Sequence, residues 1–276
     1  MFASKPSTLA LSLVLIIFGG SVLPSIASAP KPRFPPLSSL VRADLERRDP
    51  NEYQLFHKQE HSGNVSARSV VSGGISQCRT QGCFAFTFDD GPNHRKVADD
   101  IASIGARATF FVVGNMGKCI YDEDSVQALR YSYNAGHQIC SHTWSHPNIE
   151  TLSRPAIDQQ VQLVEEALFK ILGVVPACIR PPYGSASPST IQYLNQKYRS
   201  LHAPQNVIIF NHETVPTTSN QVIPQALQIV RQNGYHPRNM GTVAQTVGFA
   251  PYKVIGRPGV RDSSWTCAGK PGGGGW

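Results

Sequence analysis

Hydrophobic and polar positions recur along this chain in two periods, and each switch between them marks a change of element. The apolar run Phe84 to Phe88 predicts a buried strand that Gly91-Pro92 stops. Helical spacing from about Lys96 to Ile104, closed by Gly105, leads into the β-rich run Ala108 to Val113. A helix around Asp124 to Asn134, closed by Gly136, precedes the short strand His137 to Cys140. Ile157, Val161, Val164, Leu168 and Ile171 share one helical face ending at Gly173, and the strand Ala177 to Ile179 follows. A helix over about Ser189 to Tyr198, the strand Val207 to Phe210 and a helix from about Val222 to Asn233 complete the series. Strands taking turns with helices predict an α/β fold, a parallel sheet with crossover helices, open or closed into a barrel. In such folds, sites lie at the C-terminal ends of the strands.

Polar clusters stand at those ends. Thr87-Phe88-Asp89-Asp90-Gly91-Pro92 puts two carboxylates side by side at a strand exit, where like charges need solvent, a shared proton or a cation. Taken alone, it is an ordinary solvated turn. In Ser141-His142-Thr143-Trp144-Ser145-His146 the imidazoles, four apart, fall on one face of a helical turn, from which both reach one metal. The same spacing also occurs on plain surface helices. Arg180-Pro181-Pro182-Tyr183-Gly184 is a rigid turn whose backbone N–H groups from Tyr183 onward can point into the mouth, or else a stiff loop with a surface Arg. Asn211-His212-Glu213 brings one more imidazole to a strand end, where a lone His commonly serves structure. Trp144 reads either as an aromatic wall or as core. The coincidence of all four clusters with strand ends favours a site over four separate accidents.

Composition narrows the class. The 276 residues, 41% hydrophobic and 16% charged, suffice for one sizeable core, so a single domain is expected over 71–267. The net charge of +7 is scattered, with no basic run of the kind that binds nucleic acid; it suits an acidic wall polymer or simple solubility. Lys5, the apolar segment Leu9 to Phe18 and small residues up to Ala27 read as a secretory signal peptide over 1–27, too short to span a bilayer. Residues 28–70 read as a propeptide or flexible linker with a dibasic Arg47-Arg48 and the glycosylation sequon Asn64-Val65-Ser66; 268–276 reads as a flexible Gly-rich tail. The expected location is therefore extracellular or cell wall, with no integral membrane segment and a monomeric state. Six cysteines agree with an oxidising destination but permit fifteen pairings. Cys78 and Cys267 stand where a bridge would close the longest loop, and Cys140 and Cys178 lie in apolar runs as candidate buried thiols.

Taken in order, the first three clusters resemble the first three signature motifs of the polysaccharide deacetylases, carbohydrate esterase family four, and Phe210-Asn211-His212 resembles the fifth. The resemblance covers about Cys78 to Cys267 and is closest to fungal chitin deacetylases. It implies a distorted, incomplete (β/α) barrel and metal-dependent hydrolysis of N-acetyl groups on chitin or chito-oligosaccharides. It further implies that Asp90, His142 and His146 hold a divalent metal, zinc before cobalt, with Asp89 as base and Arg180 orienting it. The Tyr183 N–H would then stabilise the oxyanion and His212 would protonate the leaving amine. One motif is absent: no Trp or Asp occurs between Tyr183 and His212, where the family places a Trp-Asp strand, a gap of roughly one strand-helix unit. That departure keeps a second reading open, a secreted carbohydrate-binding protein with impaired catalysis.

Overall fold

A computed structural model describes residues 83–93, 95–197, 199–200, 208–232 and 240–273. The expected signal peptide, linker and sequon, and Cys78, lie outside the described residues. Strand β1 (Ala85–Gly91) is the centre of the arrangement, with β2 (Ala108–Val112) on one side and β7 (Ile208–His212) on the other. Beyond β2 come β3 (Gln138–Ser141), β5 (Cys178–Ile179) and β6 (Arg199–Ser200), giving a six-stranded sheet of order β6-β5-β3-β2-β1-β7 in which every pairing is parallel. Helices α1 (Arg95–Ser103), α2 (Glu123–Asn134), α3 (Arg154–Leu172) and α4 (Pro188–Lys197) make the crossovers. This is the expected α/β class.

The near-continuous apolar sequence of β1 follows from burial on both faces. Phe86 and Phe88 point to the helical side, where Phe88 stacks 5.3 Å from Phe110 and packs in one core with Ile101, Leu129, Val164 and Leu168. Ala85 points to the other side, into a smaller cluster with Phe111, Cys140, Cys178 and Val243. Val243 opens the short helix α6 (Val243–Val247), whose N-terminus carries a capping box between Thr242 and Gln245. Its first amides donate to Thr109 Oγ1 at 2.9 Å and Gln138 Oε1 at 3.0 Å, which satisfies the polar side chains buried on that face of the sheet.

Helix α3 stops at Gly173, where φ is 76° and an added Cβ would stand 2.6 Å from the Gly256 carbonyl oxygen. Conformation and space both demand glycine there. The chain turns into β4 (Val174–Pro176), which pairs antiparallel with β8 (Tyr252–Ile255). Lys253 of β8 meets Glu165 of α3 at 2.6 Å, with the carboxylate fully buried, so this ion pair fastens the two elements together.

Among the described residues, the sheet does not close. Strands β6 and β7 occupy opposite edges, with only residues 201–207 between them in sequence, far fewer than the roughly 30 of a strand-helix unit. This is the incomplete barrel expected from the missing motif. Phe210, Val215, Val222 and Ile229, on β7 and the segment running through α5 (Ile223–Gln232), leave large apolar side chains exposed along that edge.

Two cysteine expectations change. Cys140 and Cys178 are not buried thiols: they form a disulfide that joins β3 to β5. Cys267 pairs with Cys119 rather than with the far end of the domain, and Cys83 is also disulfide-bonded. Residues 268–273, expected as free tail, are tied down: Gly273 bridges Met116, and the Pro271 carbonyl accepts from Asn115 Nδ2 at 3.0 Å. Among the described residues, no helix is long and apolar enough to cross a membrane.

Candidate metal and active site

Because the six strands run parallel, their C-terminal ends share one edge, and the four polar clusters of the sequence meet there. Asp89 and Asp90 end β1, Ser141 ends β3 just before His142, Arg180 follows β5, and His212 ends β7 directly beside Asp89 in register. None of these acids is a solvated turn residue: Asp89 is 1% and Asp90 5% exposed. Pairing of Asp89 with Phe111 continues on the next residue pair only as Gly91 with Val112, so the strand skips Asp90. Gly91 is needed at that exit, since a Cβ there would collide with the buried Glu213 carboxylate.

The two histidines do not lie on a helical turn. Residues 142–148 form an irregular loop in which Thr143 has φ 72° and His146 φ 53°. The sheet imposes this path: the His142 N–H donates to the Val112 carbonyl at 2.8 Å, and the Trp144 carbonyl accepts from the N–H groups of Gly114 and Asn115. Trp144 is core, fully buried, rather than a wall of the site. Among the described residues, the non-glycine positions with left-handed backbone are Asp90, Thr143, His146 and Tyr183. Each costs on the order of 1–3 kcal/mol, and all four stand at this one edge.

Charge and hydrogen bonding divide the two acids. Arg180 Nη1 donates to Asp89 Oδ1 at 2.6 Å, and the guanidinium, itself 2% exposed, lies face-on to Phe111 at 4.1 Å. Asp90 has no such partner: both its oxygens are buried without a hydrogen bond. Burial, and then the charge of Asp89, push its carboxyl up to about 7. His142 Nδ1 stands 2.7 Å from the Arg180 carbonyl, which can only accept, so Nδ1 carries the proton and Nε2 turns its lone pair toward the acids. Burial lowers the His142 pKa and brings that of His146 to about 4, keeping both rings neutral. Arg180 thus serves twice, through its guanidinium and through its carbonyl. The second role left no trace in the sequence.

Asp90, His142 and His146 fit a metal ion. Their donor atoms lie within 4.8 Å of one another, with Asp90 Oδ1 3.6 Å from His142 Nε2 and 3.4 Å from His146 Nε2. Tetrahedral zinc with bonds of about 2.1 Å separates its ligands by about 3.4 Å. An orphaned buried carboxylate facing two imidazole lone pairs is the donor set such an ion compensates. His212 Nε2 lies 3.7 Å from Asp90 Oδ2, with its side chain 39% exposed. Tyr183 projects its ring outward, 72% exposed, with its ring centroid 4.7 Å from that of His146. An open groove leads away from Asp90 past Pro92, Asn93, Met116, Lys118 and Thr214.

Sequence reasoning overlooked the 240–273 stretch. Thr242-x-x-Gln245, enclosing the apolar pair Val243-Ala244, is a legible capping signature, and Tyr252-Lys253-Val254 alternates as a strand does.

Residues 76–199 match the family model for polysaccharide deacetylase. A chitin deacetylase of Pestalotiopsis sp is 35% identical over 158 residues, covering 56% of this chain and 51% of that protein. A peptidoglycan-N-acetylglucosamine deacetylase of Bacillus cereus is 32% identical over 185 residues, covering 63% of this chain and 64% of the relative. The chain thus spans about half to two thirds of these relatives, and only 32% of a probable peptidoglycan-N-acetylglucosamine deacetylase of Arthroderma benhamiae. The solved chitin deacetylase of Colletotrichum lindemuthianum superposes with a TM-score of 0.59 at 25% identity, over 66% of this chain and 96% of that one. With its motifs in order on a matching fold, residues 76–199 carry the polysaccharide deacetylase match, and the chain shares the fold of the solved chitin deacetylase.

Proposed function

We propose that this protein is a secreted, metal-dependent deacetylase that removes acetyl groups from a polymer of N-acetylglucosamine, chitin first among them. The observation that carries the reading is Asp90: a buried carboxylate without hydrogen bonds, set against two neutral imidazoles. Asp90, His142 and His146 would hold the ion, zinc before cobalt. When bound, it supplies Lewis-acid activation of a water molecule and of the amide carbonyl. The chain's own residues do the rest. Asp89, held by the hydrogen bond from Arg180 to its Oδ1, takes the proton from the attacking water as general base. The Tyr183 backbone N–H donates to the developing oxyanion. His212, half open to solvent beside the acids, protonates the leaving amine. The products are acetate and a glucosamine unit.

The fungal chitin deacetylases among the relatives support chitin, and the peptidoglycan deacetylases support a GlcNAc polymer more broadly. The test is acetate release from chitin oligomers by the full chain, with added zinc and after chelation. Release that depends on zinc is the expected result; no release from a folded, zinc-loaded protein refutes the reading. One observation favours an alternative, a carbohydrate-binding protein with impaired catalysis: among the described residues, Asp90 is the one acid paired with His212. Oligomer binding without acetate release would select it.

The acids also set a pH dependence. In the metal-free site Asp90 keeps its proton to about 7, whereas His146 is already neutral above about 4. Below 7 zinc must displace one proton, from Asp90. Zinc affinity is therefore expected to rise about tenfold per pH unit between about 5 and 7 and to level off above that. An affinity flat across this window, measured by chelator competition, contradicts the assignment of Asp90.

A further inference from the structure

The loop that carries His142 and His146 is held from outside by a segment that no motif contains. Between the two histidines, the fully buried Trp144 donates its Nε1–H to the Pro271 carbonyl at 2.8 Å. The same carbonyl accepts from Asn115, whose backbone N–H in turn donates to the Trp144 carbonyl at 2.6 Å. Two residues on, the Gly273 N–H donates to the Asn115 carbonyl at 2.9 Å, and a Cβ on Gly273 would stand 2.7 Å from the Ser145 carbonyl oxygen. Lys270 places its ammonium 5.4 Å from the Trp144 ring. The Cys119–Cys267 disulfide anchors the segment just before these contacts.

We propose that residues 267–273 are a positioning strap for the metal loop, acting through Trp144 to hold His142 and His146 where their Nε2 atoms meet Asp90. Thr143 and His146 occupy left-handed backbone that an unsupported loop of non-glycine residues leaves. Trp144, pinned on its carbonyl by Gly114 and Asn115 and on its indole by Pro271, fixes the chain between them. Trp144 and Pro271 are positioning residues: neither donates an atom to the metal set. The strap rests on the reading that Asp90, His142 and His146 bind a divalent ion.

The test measures zinc affinity by competition with a chromophoric chelator, for the full chain and three variants. Trp144→Phe keeps a ring in the core and removes the Nε1 donor. A chain ending at Cys267 keeps the disulfide and removes the Pro271 and Gly273 contacts. Each is expected to bind zinc about tenfold or more weakly, the usual cost of losing a group that orients a ligand. Arg261→Ala is the control: Arg261 binds Glu123 and the Tyr121 carbonyl, so its loss loosens the same stretch of chain away from Trp144. Its zinc affinity is expected to stay within twofold of the full chain. The strap is overturned if Trp144→Phe and the shortened chain bind as the full chain does, or if Arg261→Ala weakens binding as much as they do. A full chain that binds no zinc removes the metal reading and the strap with it, a result distinct from normal binding in every variant.

Discussion

Replacing Asp89 by Asn is expected to lower acetate release from chitin oligomers by about 10² to 10⁴-fold, the range for a positioned general base, while zinc binding holds. The substitution conserves shape at a site that is 1% exposed, and the amide oxygen can still accept from Arg180, 2.6 Å away. The loss is the negative charge and, with it, the capacity to take a proton. Zinc retention follows from the neighbour. Asp90 holds its proton to about 7 through burial first and the Asp89 charge second, so removing that charge lets Asp90 ionise at lower pH. Zinc should then still bind at neutral pH, since Asp90, His142 and His146 are all retained. Acetate release from Asp89→Asn above a tenth of the parent rate would assign the base to another residue.

Arg180→Met is expected to destabilise the metal-free protein by about 3–5 kcal/mol, the cost of leaving one partner of a buried ion pair alone. Methionine can cover Phe111, over which the guanidinium now lies at 4.1 Å, so lost packing contributes little. The large effect comes from Asp89, which keeps its burial and loses its counter-charge. Urea denaturation measures the loss, and the double variant Asp89→Asn with Arg180→Met should recover most of it. A loss under about 1 kcal/mol, or no recovery in the double variant, would mean that water already solvates Asp89.

The sequence made the site legible wherever strand chemistry alone decides the outcome. An apolar run buried on two faces can only be an inner strand, and polar residues directly after it stand at the common edge of a parallel sheet. For that reason Asp89, Asp90, His142, Arg180 and His212 could be brought together without coordinates. The conformation of 142–148 was not legible, because the four-residue spacing suits a helical turn and the sheet overrides it through hydrogen bonds donated to the Val112 carbonyl and accepted from the Gly114 and Asn115 N–H groups. Cysteine pairing was hidden for a related reason: the Cys140–Cys178 bridge depends on β3 and β5 becoming neighbours, which no local pattern states. The anchoring of residues 268–273 was hidden by composition, since glycine and proline read as loose chain until Trp144 supplies a donor for them to meet.

The Cys140–Cys178 bridge has a consequence for how the protein is made. Strand β5 contributes two residues, and its ladder with β3 holds one aligned pair, Ser141 with Ile179. The disulfide stands immediately before that pair on both strands, and immediately after it come His142 and Arg180, joined through Nδ1 and a carbonyl. The seam that delivers His142 and Arg180 is therefore secured by a covalent bond more than by backbone pairing. If the proposed metal site is right, metal loading is expected to depend on thiol oxidation, and a reduced chain to bind zinc more weakly than the oxidised one.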